Sequence, residues 1–366
     1  MLRPILRLML LAALITLVSA LSARMIGAGS ERSTLQWDYE TLTGTITTVI
    51  VDGSYRHEVL SKSLHFTSDG GFGWVEENGM LRRWNGASLE RIPLSDSPMT
   101  DLTWAANGHL AWITRSAPHA APDLYVWDGQ RTFLLGSSDH ELSSLVWSND
   151  GRLAWASIHD SDARANLYVW DGNAPILIDT PINPVNSLTW AADGRLAWTA
   201  IGVGEASDIF VWDGESVRNI SQSVDSDVLP VWSHDGRMIW QTYSHATWFS
   251  MSLWDGAVVH NNFGGHVFVG SEPTWSANGW LAYAAVLPEF GGTKIIVWDG
   301  ESVRNLTPST FRNMSPRWSP DGRLAWVEDD HISIWDGANI VTVPFAVEPY
   351  RYTPIPRFFW SPPQTM

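Results

Sequence analysis

Five histidines of this chain stand in segments of irregular length: His119, His140, His159, His245 and His266. Around them in the sequence are Asp160, Asp162, Glu205, Asp227, Glu289, Arg115, Arg164, Trp248 and Phe290. Histidine beside carboxylate is the chemistry of metal ligation and of general acid–base work. A facing pair of carboxylates is that of glycoside hydrolysis. The spacing supports neither, because there is no His-x-His pair, no paired-Glu motif and no nucleophile elbow. No Asp-x-Asp-x-Asp loop offers calcium its several converging oxygens. Zero Cys removes disulfides, thiolate metal sites, a Cys nucleophile and a lipidated N-terminus. No catalytic residue, metal ligand or cofactor is therefore assigned.

The bulk chemistry narrows the partners. The chain has 366 residues, with Lys+Arg 23 against Asp+Glu 39 and a net charge of −16. That sign argues against nucleic acid, whose phosphates call for a basic surface. Apolar residues make up 45% and charged residues 17%, which excludes intrinsic disorder. The 23 Trp outnumber the 12 Phe and the 8 Tyr, and the elements that would position the histidines must also account for that excess.

Those elements repeat. The segments FTSDGGFGW (66–74), WAANGHLAW (104–112), WSNDGRLAW (147–155), WAADGRLAW (190–198), WSHDGRMIW (232–240), WSANGWLAY (275–283) and WSPDGRLAW (318–326) share one pattern. Each is followed by a shorter phrase such as YVWDG, FVWDG or SIWDG. Successive first aromatics are separated by 38, 43, 43, 42, 43 and 43 residues, then 42 to Trp360. Asx-Gly between alternating apolar runs is a strong hairpin signal. Each repeat then holds four short antiparallel strands: a, ending at the first aromatic; b (RLAW); c (YVW); and d, after WDG. Four strands per ~40–45 residues is the signature of a β-propeller blade.

The expected turns are two-residue type I′, with both central residues at positive φ. Trp104 then pairs with Ala111, and Trp112 with Thr103. This sends the a and b tryptophans to opposite faces, so that each sheet offers an aromatic to both neighbours. Twenty-one of the 23 Trp fall in these slots, Trp248 and Trp280 being outside them. Trp280 stands where Arg is commonest and reads as a surface variant. Twelve Asp occupy Asx-Gly turns, namely 52, 69, 128, 150, 171, 193, 213, 235, 255, 299, 321 and 336. Their expected work is to tolerate positive φ and to bond the turn backbone.

At the ends, residues 33–60 read as strands b, c and d of a blade without its a strand, with Trp37 in b and IVDG (50–53) in c. The segment FFWSP (358–362) supplies the missing a strand. The fold class is all-β, with eight blades favoured, one of them composite, and seven as the alternative. Residues 1–27 stand apart: Arg3 and Arg7 precede an uncharged run from Leu8 to Ala23, closed by Arg24. This reads as an export signal with a small-x-small site at Val18-Ser19-Ala20, or as a retained membrane anchor. Residues 28–366 form one domain outside the cytoplasm: periplasmic, extracellular or anchored.

The best repeat, WSPDGRLAWVEDDHISIWDG (318–337), resembles the WD40-like family, including exported TolB-type propeller repeats. The shared features are the S-P-D-G turn, the L-A strand and the I-x-(I/V)-W-D strand. The resemblance covers roughly residues 33–362 and implies a scaffold for binding proteins or other ligands. Gly-His does not recur from repeat to repeat as it does in eukaryotic WD40 repeats, standing only at Gly108-His109 and Gly265-His266, and the separate domain of a full TolB is not expected. Ser148, Asp150 and Trp155 approach the sialidase Asp-box, but Gly151 comes one position early.

Chain direction puts the a–b and c–d turns on one edge, with the b–c and d–a connections on the other. The turn edge is short and uniform, whereas the loop edge varies, and variable loops on a rigid scaffold are where recognition residues gather. Trp248, His245, His159, Asp160, Arg164, His119 and Phe290 are the binding-face candidates. The expected partner is a protein or cell-envelope ligand, with no nucleic acid and with membrane contact only through residues 1–27. A monomer is expected. The alternative function is a propeller-type hydrolase with its site in the central opening on the loop edge.

Overall fold

A computed structural model describes residues 32–37, 45–51, 55–60, 65–66, 72–75, 80–84, 89–94, 99–117, 120–138, 140–158, 165–178, 184–201, 206–244, 248–263, 273–286, 292–307, 313–319, 321–328 and 331–344. Strands and turns make up all of these. Their sheets number eight, seven four-stranded and one three-stranded, each joining strands in sequence order. The chain falls into two compact units, residues 1–102 and 103–366.

The first unit contains the three-stranded sheet, Arg32–Trp37, Thr45–Val51 and Tyr55–Leu60, antiparallel throughout. These are the three strands expected of a blade without its a strand. The segment read as its fourth strand, 358–362, lies outside the described residues. A four-stranded sheet follows: His65–Phe66, Phe72–Val75, Met80–Trp84 and Leu89–Pro93.

The second unit begins inside the strand Met99–Trp104. One of its repeats shows how the sequence builds them all: strands Glu141–Trp147, Leu153–Ile158, Ala165–Trp170 and Pro175–Ile178. The a–b turn departs from expectation. Trp147 pairs with Leu153 rather than Ala154. The Ser148 N–H donates to the Arg152 carbonyl at 2.8 Å, enclosing three residues rather than two. Within this loop only Gly151 has positive φ, at 88°. This is the three-residue hairpin, a type I turn closed by a left-handed glycine, so the aspartates of these loops need no positive φ.

That single extra residue redirects every large side chain, because a one-residue slip flips a strand's faces. The expectation that a and b tryptophans point to opposite faces is therefore corrected. Trp147, Trp155 and Trp170 all lie on one face, packed against Ala111, Ile113, Leu124 and Val126 of the preceding sheet. The other face of the same sheet, with Ala154, Leu167 and Val169, receives Trp198 and Trp212 of the next. The arrangement recurs with Trp232, Trp240 and Trp254 on Ile209 and Val211. Further on, Trp326 and Trp335 lie on Ala282, Ala284, Ile295 and Val297. Within the second unit, the sheets joined by these clusters are two-sided, aromatic toward the predecessor and small or aliphatic toward the successor. A buried Trp removes 150–250 Å² from water, on the order of 4–6 kcal/mol per slot.

Strands a lie side by side. The Trp147 indole N–H donates to the Thr103 carbonyl at 3.2 Å, Trp190 to Val146 at 3.2 Å and Trp232 to Thr189 at 3.2 Å. Trp275 donates to Val231 at 3.3 Å and Trp318 to Thr274 at 3.2 Å. Strands d carry exposed apolar residues, including Leu177 at 55% and Val303 at 61%, and form the outer rim.

Candidate functional site

The turn edge is held by one residue type acting across sheets. Arg152 Nε donates to both oxygens of Asp150 at 3.1 Å, and its Nη2 donates to the Gly194 carbonyl of the next turn at 2.9 Å. Its guanidinium stands 4.6 Å from the Trp190 ring centre. Arg195 repeats this with Asp193, the Gly236 carbonyl at 3.1 Å and Trp232 at 4.7 Å. Arg237 does so with Asp235, the Gly279 carbonyl at 2.9 Å and Trp275 at 4.9 Å. In two repeats of the second unit an aromatic ring takes the slot instead of Arg. His109 meets Trp147 edge-on at 6.1 Å, while Trp280 meets Trp318 at 6.3 Å and stacks on Trp335 at 6.1 Å. Trp280 is therefore no surface variant; it bridges two sheets in the arginine's place.

These contacts occupy the turn carboxylates. Hydrogen bonds from Arg195 hold the Asp193 carboxyl below its ordinary range, and those from Arg237 bring Asp235 down to about 2. In the c–d turns the backbone does the same work. Asp299 accepts from the Ser302 N–H at 2.7 Å and the Glu301 N–H at 3.0 Å, bringing its carboxyl down to about 2. Burial lowers the His109 imidazole, opposed by the charge of Asp128. The expectation that these aspartates bond their own turns holds; what the sequence did not show was their arginine partners. Among the described residues, no group of three or more His, Asp or Glu converges as a metal site.

On the loop edge, His119, His159, Asp160, Arg164, His245 and Phe290 lie outside the described residues. Trp248 opens the strand Trp248–Trp254, with its backbone opposite Ser244; its side chain also lies outside them. Arg115 is described, reaching the Ala120 carbonyl at 3.2 Å and pairing with Glu141 of the next sheet. Asp227 is described too, and it is buried. It accepts from Thr242 Oγ1 at 2.6 Å, and Thr242 continues to Ser252 at 2.9 Å and on to Asn261 at 3.2 Å. Burial pushes the Asp227 carboxyl up, only partly opposed by hydroxyl donors, and the charge of Asp208 adds to the rise.

Asp208 is a residue that sequence reasoning passed over. It is buried, and it accepts from Asn219 Nδ2 at 2.7 Å, Ser221 Oγ at 3.1 Å and the Ser223 N–H at 3.0 Å. The polar atoms of Asn219 and Ser221 thereby fasten the d strand to c, with Ser221 Oγ also accepting from the Ile209 N–H at 3.0 Å. Asn305-Leu-Thr307 repeats the device, Thr307 Oγ1 accepting from the Ile295 N–H at 2.9 Å. A signal for Asp208 was present. Four residues before the c-strand Trp, the first repeat carries Met80, and the six that follow carry Asp123, Asn166, Asp208, Ser250, Lys294 and His331, all polar.

Sheets of four sequential antiparallel strands, packed face to face with strands a together, define the fold as a β-propeller. No protein-family model and no curated protein matches this chain. Solved structures do match. A dipeptidyl peptidase 4 from Porphyromonas gingivalis is 12% identical with a TM-score of 0.58, the match covering 78% of this chain and 53% of that one. Tricorn protease is 11% identical with a TM-score of 0.50, covering 86% of this chain and 39% of that one. TolB from Acinetobacter baumannii is 20% identical with a TM-score of 0.37, covering 77% and 78%. The chain thus spans about half or less of the first two proteins, and what it shares with them is the propeller. Among the described residues no helix is long and apolar enough to cross a membrane; residues 1–27 lie outside them.

Proposed function

We propose that this protein is an exported or membrane-tethered propeller that works by binding, through its b–c/d–a loop edge, a protein or cell-envelope polymer. The observation that carries this reading is the contrast between the edges. On the turn edge the carboxylates and arginines are spent on their own loops and on the next sheet. On the loop edge, connections differ from repeat to repeat in length and chemistry, which suits recognition on a rigid support. Trp248 is the aromatic anchor of this surface, since Trp is enriched where binding energy concentrates. The test is affinity capture from a cell-envelope fraction with the wild type, Trp248→Ala on the loop edge and Asp171→Ala on the turn edge. Capture should fall with Trp248→Ala and persist with Asp171→Ala. Equal capture by all three, or loss only with Asp171→Ala, contradicts the assignment.

A further inference from the structure

The chain contains 21 Arg and only two Lys, Lys62 and Lys294. Lys294 is 0% exposed, and its Nζ has no hydrogen-bond partner. It is the second residue of the c strand Thr293–Trp298, one residue in from the loop edge. Alternation places it on the face carrying Ile296 and Trp298, which pack against Ile239 and Met251 of the preceding sheet. A strongly hydrated ammonium placed there without an acceptor is unfavourable.

Its position in the repeat sharpens the anomaly. Lys294 occupies the slot of Asp123, Asp208 and His331. Asp123 accepts from Ser137 Oγ at 2.5 Å, and His331 Nε2 stands 3.5 Å from a Glu328 oxygen. Asp208 takes three donors from the segment after its strand. In the Lys294 repeat the matching residues are Asn305 and Thr307, and they are engaged otherwise. The Thr307 N–H donates to Asn305 Oδ1 at 3.0 Å, while Thr307 Oγ1 accepts from Ile295. The slot that elsewhere supplies its own counter-group has here been given the opposite charge and no acceptor.

We infer that Lys294 is an anion-binding group, whose missing acceptor is a carboxylate brought by a ligand entering from the loop edge. A carboxylate completes an ammonium with charge-assisted hydrogen bonds. In a protein of net charge −16, a cation set just inside the edge selects an acidic group that the surface as a whole repels. The inference stands whether or not the surrounding loops bind a macromolecule.

With only two lysines, the test is direct. The full chain is labelled with lysine enriched in ¹⁵N at the side-chain nitrogen, giving two resonances, and Lys62 serves as the internal control. The probes are acetate and poly-L-glutamate, each against sodium chloride at equal ionic strength. Acetate should shift the Lys294 resonance, leave Lys62 in place and raise the thermal midpoint by a few degrees. Lys294→Met should abolish the midpoint response while raising the baseline midpoint. A response to poly-L-glutamate alone assigns a carboxylate carried on a polymer. Should Lys294→Met not fold, Lys294→Gln replaces it, and the resonance shift in the wild type still decides. An unmoved Lys294 resonance with both probes, or a midpoint response that survives removal of the lysine, overturns the inference.

Discussion

Arg237→Met tests the inter-sheet packing most sharply, because it keeps the aliphatic stem and removes only the guanidinium. That group makes two bonds to Asp235, one to the Gly279 carbonyl at 2.9 Å, and lies 4.9 Å from Trp275 and 5.3 Å from Trp298. The Asp235 pair is largely solvated and contributes under ~1 kcal/mol. The charged bond to the carbonyl contributes ~1.5 kcal/mol, at the low end for partial exposure. The two ring contacts add ~0.5 kcal/mol each. The loss should be about 2.5–3.5 kcal/mol, read as a lower urea midpoint with unchanged slope. Arg131→Met is the matched control, since its side chain is 81% exposed against 22% for Arg237 and its ion pair is 3.4 Å long. It should stay within about 0.5 kcal/mol of wild type. If Arg237→Met costs no more than Arg131→Met, the turn arginines do not tie sheet to sheet and the reasoning fails.

The other expectations can be checked on the same protein. Trp155→Ala empties a buried slot between two sheets and should cost about 3–5 kcal/mol, whereas Trp248→Ala should weaken partner capture with little change in thermal midpoint; equal destabilisation by both refutes the division. Trp280→Arg should be tolerated within about 1 kcal/mol, because Arg fills the same slot beside Trp232 and Trp275, and a loss as large as that of Trp280→Ala contradicts the equivalence. Asp227 has a raised carboxyl, so the folded state holds its proton longer than the unfolded chain; its contribution is full below the unfolded value and is lost as pH rises through the folded one. Asp227→Asn should therefore raise the midpoint at neutral pH and flatten its decline above pH ~4. Asp193, Asp235, Asp299 and Asp321 run the other way, being lowered, so a melting series should show stability falling as pH drops from ~4 toward ~2.

How much of this the sequence disclosed depends on how local the cause is. The period, the four strands per repeat and the three-stranded sheet over 32–60 were legible, because aromatic slots and Asx-Gly turns recur at fixed spacing. The direction of the tryptophans was not, since it turns on whether the a–b loop encloses two residues or three, and Asn-Gly and Asp-Gly serve both. The arginines and Trp280 looked like surface residues because their partners lie about 38 positions away, on the next repeat. Asp208 and Lys294 sit inside strands, where a single polar residue gives no local signal, and only the column they share across the repeats sets them apart. Of the seven binding-face candidates, only the backbone of Trp248 falls within the described residues.

On the proposed function, recognition belongs to the loop edge and structure to the turn edge. Hydrogen exchange of the full chain, alone and with its captured partner, tests it most directly. Protection should appear in the connections 113–122, 159–164 and 287–292 and at Trp248, with the WDG turns at 127–129, 170–172 and 212–214 unchanged. Protection centred on those turns, or spread equally over both edges, contradicts it.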